Sequence, residues 1–170
     1  MADKKEIFTE GSIGGMVLEA LTTGLYSDNL NCLREYIQNS RDEGATRVDI
    51  DVDNGGRRIY ITDDGPGMNE AGLIEALRLG ISTKGGEDAG WRGIGIWSGV
   101  GLCDRLDVVT KKAGHPVSRA SIDCSVIKDR NRLRDNDLVD LMNDMIIEMR
   151  TEGEPDDSHY TKVTLSDIPP

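Results

Sequence analysis

At 170 residues, with a formal net charge of -11 and a sequence pI near 4.6, the chain has room for one domain built on a single core. The acidic excess argues against a nucleic-acid groove on this piece, and no apolar run is long enough to span a bilayer, so neither nucleic acid nor membrane is an expected partner. Cys32, Cys103 and Cys124 lie far apart without CxxC spacing, which suggests neither a zinc site nor a disulfide framework and suits reduced thiols in the cytoplasm.

Residues 1–15 are polar and end in Gly11-Ser12-Ile13-Gly14-Gly15, the pattern of a flexible arm ahead of a folded domain at 16–168. Met16, Val17, Ala20 and Leu21 recur at helical spacing. Asp28 or Asn29 can cap a second helix with Leu30, Leu33 and Ile37 as its apolar stripe, which puts Glu35, Asn39 and Asp42 together on the opposite face. Three polar groups in a row are most often only a wetted surface.

A hairpin follows, because Val48, Ile50 and Val52 alternate with aspartates, Asn54-Gly55-Gly56 turns the chain, and Ile59 and Ile61 resume the alternation. One further step of that period lands on Asp63, a carboxylate on the face that otherwise carries core residues. Two readings stand for it: a cap on the Gly65-Pro66-Gly67 turn, or an acceptor for a ligand N–H. Asn69 caps a helix with Leu73, Ile74 and Leu77 inward, ending near Gly80. Residues 81–95 are rich in glycine and polar side chains, a flexible loop running into a helix of two turns over 94–102. Strands are expected around Leu106–Val109, at 117–127 and at 160–165, with a helix over 135–150 and an acidic loop over 151–158.

Glycines ahead of a helix leave backbone N–H groups open to an anionic chain, and here Gly90, Gly93 and Gly95 let the backbone of Trp91, Arg92, Ile94 and Ile96 come close to one. No P-loop run is present, and residues 85–92 cannot form the strand that a dinucleotide turn requires. Asn39 can offer a neutral oxygen to a magnesium ion carried by a triphosphate, and Glu35, one turn earlier, can polarise a water as a general base. Lys84 is a candidate charge for the phosphates, with simple solvation as the default for an exposed lysine.

Leu33-Arg34-Glu35 with Asn39 and Asp42, then Asp63-Asp64-Gly65-Pro66-Gly67-Met68, then Gly90-Trp91-Arg92-Gly93-Ile94-Gly95, in this order and with a last strand Tyr160–Leu165, resemble the ATP-binding domain shared by gyrase, the ninety-kilodalton heat-shock chaperone, histidine kinases and MutL, the GHKL superfamily. The chaperone is most similar around Leu25-Tyr26-Ser27 and Gly93–Ser98, whereas Asp42–Arg47 and Gly90–Gly93 look more like MutL, and the mixture also resembles the MORC ATPases. The resemblance covers roughly residues 16–110. It implies an α+β, two-layer α/β sandwich, a mixed but mostly antiparallel sheet covered on one face by helices. It also implies an ATPase that uses ATP, ADP and Mg, closes a lid and forms a homodimer with ATP. By the same resemblance Glu35 is the catalytic base, Asn39 the magnesium ligand and Asp63 the reader of the adenine amino group. Gly67 and Met68 lie beside the base, Thr161 supports Asp63, and residues 90–96 wrap the phosphates. Glu43, where a small alanine is common, and Tyr160, where a glycine usually precedes the threonine, depart from the pattern. Two alternatives stay open: a protein kinase of the same fold, though neither His115 nor His159 sits in a phosphoacceptor helix, and a nucleotide sensor with little turnover.

Overall fold

The computed structural model describes residues 13–22, 31–78 and 95–170. Its described strands form one sheet, and its helices are α1 (Met16–Thr22), α2 (Asn31–Asp42), α3 (Glu70–Leu77), α4 (Arg130–Asp135) and α5 (Leu138–Met145). The strands β1 (Val48–Asp53), β2 (Arg58–Asp63), β3 (Arg105–Lys111), β4 (Val117–Asp123), β5 (Ile146–Glu152) and β6 (Tyr160–Ser166) are ordered β1-β2-β6-β3-β4-β5. Every pairing among them is antiparallel.

Alternation decides which face of the sheet is buried. Ile59 and Ile61 on β2, Leu106 and Val108 on β3, Ala120 and Ile122 on β4, and Val163 and Leu165 on β6 all enter the core with Leu18, Tyr36, Leu73, Trp97, Leu133, Leu141 and Met145 from the helical layer. The other face carries Arg105, Asp107, Arg119, Arg150 and Lys162. Arg105 is held by Asp107, Arg119 by Glu152, and Lys162 lies over the Tyr60 ring, so this layer of charge compensates itself. On the outermost strand β1, Ile50 and Val52 keep their alternation but remain exposed.

Several expectations need correction, among them the inward place of Ile74 in α3, which is 45% exposed while Leu73 is buried. Among the described side chains of α1, residues 16–20, Leu18 is buried, while Met16 and Val17 face outward. The helix expected over 94–102 is a single 3-10 turn, Ile96–Gly99, because Ser98 N and Ser98 Oγ both return to the Gly95 carbonyl and Val100 N returns to Trp97 O, closing i to i+3 rings among glycines that disfavour a longer α-helix. The strand expected to reach residue 127 stops at Asp123, whose side chain accepts from Ser125 N and starts another 3-10 turn, Cys124–Lys128. Of the helix expected over 135–150 only α5, Leu138–Met145, is helical beyond Asp135, the last residue of α4, and residues 146–150 belong to strand β5. Asp129 caps α4, Asp137 caps α5 by accepting from Val139 N at 2.8 Å, and Ile146 turns the chain into a strand that pairs with β4.

Residues 1–12 of the expected arm lie outside the described residues. Ile13–Gly15 are joined to the helical layer: the Ile13 carbonyl accepts from Leu138 N at 2.9 Å and Gly15 N donates to Asn136 O at 3.0 Å. None of the described helices is long and apolar enough to cross a membrane.

Candidate functional site

Twelve residues without Gly or Pro make α2 a continuous helix, and its buried stripe is Cys32, Tyr36 and Ser40, at successive i, i+4 positions. The apolar pair Leu33 and Ile37 does not form that stripe; Ile37 is 42% exposed. The helix is turned because Tyr36 reaches into the 3-10 turn at 96–99, where its hydroxyl donates to Ile96 O at 2.8 Å and accepts from Gly99 N at 3.1 Å. Burial holds the phenol well above its ordinary pKa, so its proton is always there to donate. With the helix seated this way, Glu35 and Asn39 do not lie opposite the buried face. They flank it, half-buried, each one residue before a buried position, and Asp42 points out to solvent.

Asp63 ends β2 on the inner face, and both its carboxylate oxygens are fixed. Ser40 Oγ donates to Oδ2 at 2.8 Å and Gly65 N donates to Oδ1 at 2.9 Å, while the group stays half-buried. Each oxygen keeps a lone pair for a further donor. Asp63 itself caps the Gly65-Pro66-Gly67 turn through its bond from Gly65 N, while Asp64 ties the segment before β1 to the end of β2: it accepts from Thr46 Oγ1, Thr46 N and Arg47 N and is held below the usual carboxylate range by those bonds, the Thr46 hydroxyl first.

Register carries the inner row onward from Asp63. Thr161 lies directly opposite it, Thr110 opposite Thr161, and Ser118 opposite Thr110. The Thr110 hydroxyl, fully buried, accepts from Met68 N at 2.8 Å and lies 3.0 Å from Thr161 Oγ1 and 3.1 Å from Tyr160 O. It therefore ties the turn 64–68 to the sheet. Gly67 sits against the same strand ends with φ +61, where a Cβ would overlap the Lys111 carbonyl and come within 2.8 Å of Tyr160 O.

The third cluster is seen only at its end. Lys84, Gly90, Trp91, Arg92, Gly93 and Ile94 lie outside the described residues. Gly95 and Ile96 lie beside α2: a Cβ on Gly95 would overlap the Asn39 amide, and one on Gly99 would overlap the Tyr36 hydroxyl and lie 2.8 Å from Leu165 Cδ2. The structure thus brings Glu35, Asn39, Asp63, Gly67, Met68, Gly95, Ile96 and Thr161 to one end of the helical layer, over the strand ends. Magnesium accepts hard oxygen donors and keeps several from water and phosphate. The Asn39 amide, whose nitrogen is its atom nearest Gly95, also carries one neutral oxygen, and that oxygen with the half-buried Glu35 carboxylate one turn away would suit an ion that arrives with a triphosphate. Among the described residues no group of three or more acidic, His or Cys side chains would hold a metal without it.

Ser40, Thr110, Tyr36 and His159 touch this site and were not among the residues singled out from the sequence. The spacing of Tyr36 and Ser40 with Cys32 was the available signal for two of them. His159 Nδ1 is 2.8 Å from Gly65 O, an acceptor, so the ring donates there. The strap 153–159 that carries it is anchored at its middle, where Lys111 Nζ donates to Glu154 O at 3.1 Å and pairs with Asp156 at 3.0 Å. Of the two departures noted above, Glu43 is exposed just past α2, and Tyr160 contributes its carbonyl to Thr110.

An antiparallel sheet with helices on one face, an acid at an inner strand end before a glycine turn, and a Glu/Asn helix alongside define the GHKL type of ATPase domain. Residues 27–153 match the family of histidine kinase-, DNA gyrase B- and HSP90-like ATPases, and the chain belongs to that family. It is similar to the DNA mismatch repair protein MutL of Rhodopseudomonas palustris (strain HaA2), 41% identical over 49% of this chain and 15% of that protein. A MutL of Bradyrhizobium sp. (strain BTAi1) is 37% identical over 54% and 16%. The chaperone protein HtpG of Psychrobacter cryohalolentis is 30% identical over 61% and 20%. The chain spans a fifth or less of the length of these relatives.

Proposed function

We propose that this domain binds ATP with Asp63 reading the adenine amino group, and hydrolyses it with Glu35 as general base. The observation that carries the proposal is the Asp63 carboxylate, fixed at both oxygens on the inner face, in register with Thr161 and followed by a turn that only glycine fits. An exocyclic amine is the donor such an acceptor selects, and the Gly67–Met68 turn supplies the neighbouring wall. Asn39 would hold the magnesium that comes with the nucleotide, and the ion would neutralise phosphate charge there. Gly95 and Ile96 are placed to continue the phosphate contacts proposed for residues 90–94, and Lys84 is proposed as an added charge. Glu35 Oε takes the proton from the water that attacks the terminal phosphorus. Family membership supports ATP as the nucleotide.

A closing loop over 81–95, an ATP-dependent homodimer and a cytoplasmic setting complete the proposal, the last supported by three buried free thiols. The kinase alternative gains nothing from the structure: His115 lies in the β3–β4 turn and His159 donates to Gly65 O. Calorimetry with a non-hydrolysable ATP analogue and a phosphate-release assay test the proposal together. Asp63→Asn is expected to abolish binding, whereas Glu35→Ala keeps binding and lowers turnover by about 100-fold or more. Binding by Asp63→Asn at the wild-type level, or undiminished turnover in Glu35→Ala, would overturn the respective assignment. Binding without measurable turnover in the wild type would select the nucleotide sensor.

A further inference from the structure

The geometry points to Tyr36 as a positioning residue that sets the distance between the Glu35/Asn39 edge of α2 and the backbone of residues 95–99; this rests on the ATPase reading above. A helix packed on a turn is usually located by apolar contact, which tolerates sliding. Here the location is fixed by two directional bonds through one oxygen, the phenol donating to Ile96 O at 2.8 Å and accepting from Gly99 N at 3.1 Å. Both partners sit on the 3-10 turn, one at each end, so the phenol resists translation and rotation of α2 against it.

Two glycines make the arrangement close. Gly99 brings the turn onto the Tyr36 hydroxyl, and Gly95, one turn earlier, brings it onto the Asn39 amide. Tyr36 and Asn39 are three residues apart on α2, and therefore on the same side, so the phenol bonds and the Asn39 contact act as two pins of one hinge plate. Glu35 precedes Tyr36 directly and moves with it. Both of these phenol bonds go to backbone, and the phenol acts by holding Glu35 and Asn39 at a fixed offset from the backbone of residues 95–99. Geometry of this kind matters in turnover more than in binding, because a small misplacement of a base is felt mainly in the transition state.

Tyr36→Phe deletes the oxygen and keeps the ring that fills the core. The expected result is kcat about 10-fold lower, with KM and affinity for a non-hydrolysable ATP analogue changed by no more than about twofold. In the nucleotide-free protein, hydrogen exchange at the Gly99 amide should accelerate, while Val100 and Leu102, bonded to Trp97 O and Gly99 O, keep their protection. p-Aminophenylalanine at position 36 retains a donor for Ile96 O and should restore most of the lost kcat. 4-Fluorophenylalanine, close to tyrosine in size but without a donor, should not, and it replaces Tyr36→Phe if that variant does not fold. A wild-type kcat in the donor-less variants overturns the inference and leaves the ATPase reading standing. So does a fall in kcat matched by an equal fall in affinity, the signature of a purely structural role. Wild-type protein that neither binds nor hydrolyses ATP overturns both.

Discussion

Ser40 donates its hydroxyl to Asp63 Oδ2 at 2.8 Å while the same oxygen atom of Ser40 lies 3.0 Å from the Tyr36 carbonyl one turn back in α2. A single proton cannot serve both acceptors fully, and the charged carboxylate is the stronger one. The serine thus joins the helix that carries Glu35 and Asn39 to the strand that carries Asp63. Ser40→Ala removes a bond to a charged group, which costs about 1.5–3 kcal/mol where the partner is left buried. Asp63 also keeps the Gly65 N bond and is only half-buried, so the expected loss in nucleotide affinity is toward the lower limit, about 10-fold by calorimetry. An unchanged affinity would mean that Asp63 is oriented without its helix partner.

Gly67→Ala tests the turn beside Asp63. Its φ of +61 disfavours a side chain by about 1–2 kcal/mol, and the added carbon has no room against the Lys111 carbonyl. The turn must therefore move away from the ends of β3 and β6, which breaks the Met68 N bond to Thr110. We expect nucleotide binding to fall far more than the midpoint of thermal unfolding, because the core residues below the turn are untouched. Equal effects on both would show that the turn is a structural element first.

How far the sequence exposed this arrangement depended on whether a signal was local. The β1–β2 hairpin and the position of Asp63 at its inner end follow from a two-residue period, and the Asn69 cap of α3 follows from its own side chain, which accepts from Gly72 N at 2.9 Å. The seating of α2 did not follow, because Leu33 and Ile37 outrank tyrosine and serine in any count of apolar positions. What rotates the helix is Tyr36 reaching a carbonyl sixty residues later in the chain. Residues 146–152 were hidden for a related reason. Met142, Met145 and Ile146 continue a helical spacing, and only the edge of β4 converts Ile146 onward into a strand. The row Asp63–Thr161–Thr110–Ser118 is a property of register between four strands, which no single segment encodes.

Ser118 closes that row, and its hydroxyl is fully buried without a hydrogen-bond partner among the described residues. An unsatisfied buried hydroxyl costs about 1–3 kcal/mol, and alanine removes the hydroxyl while leaving a gap no larger than one oxygen. Ser118→Ala is accordingly expected to match or exceed the wild-type stability in urea denaturation at unchanged m-value, with nucleotide affinity unaltered. A loss of more than about 1 kcal/mol would show that the hydroxyl is satisfied in solution.

Asp156 gives the strap 153–159 a defined response to acid. Its carboxylate accepts from Ser158 Oγ, from Ser158 N at 2.7 Å and from Lys111, and these bonds, the Ser158 hydroxyl first, lower its pKa to about 2. A carboxyl whose folded value is depressed contributes fully above its unfolded value of about 3.9 and loses that contribution as pH falls through its folded value. The strap should therefore stay latched through mild acid and release only near pH 2. Lys111 is 5% exposed and would then keep Glu154 O as its described partner, which makes release unfavourable for the buried ammonium as well as for the loop. In NMR titrations the Ser158 amide should follow the Asp156 carboxyl with a midpoint near 2, and Asp156→Asn should abolish that step. The same variant should speed exchange of the Gly114 amide, which donates to the Asp156 carbonyl at 2.8 Å. A Ser158 midpoint near 4 would mean that the carboxylate is free in solution and that the strap is held by His159 and Lys111 without it.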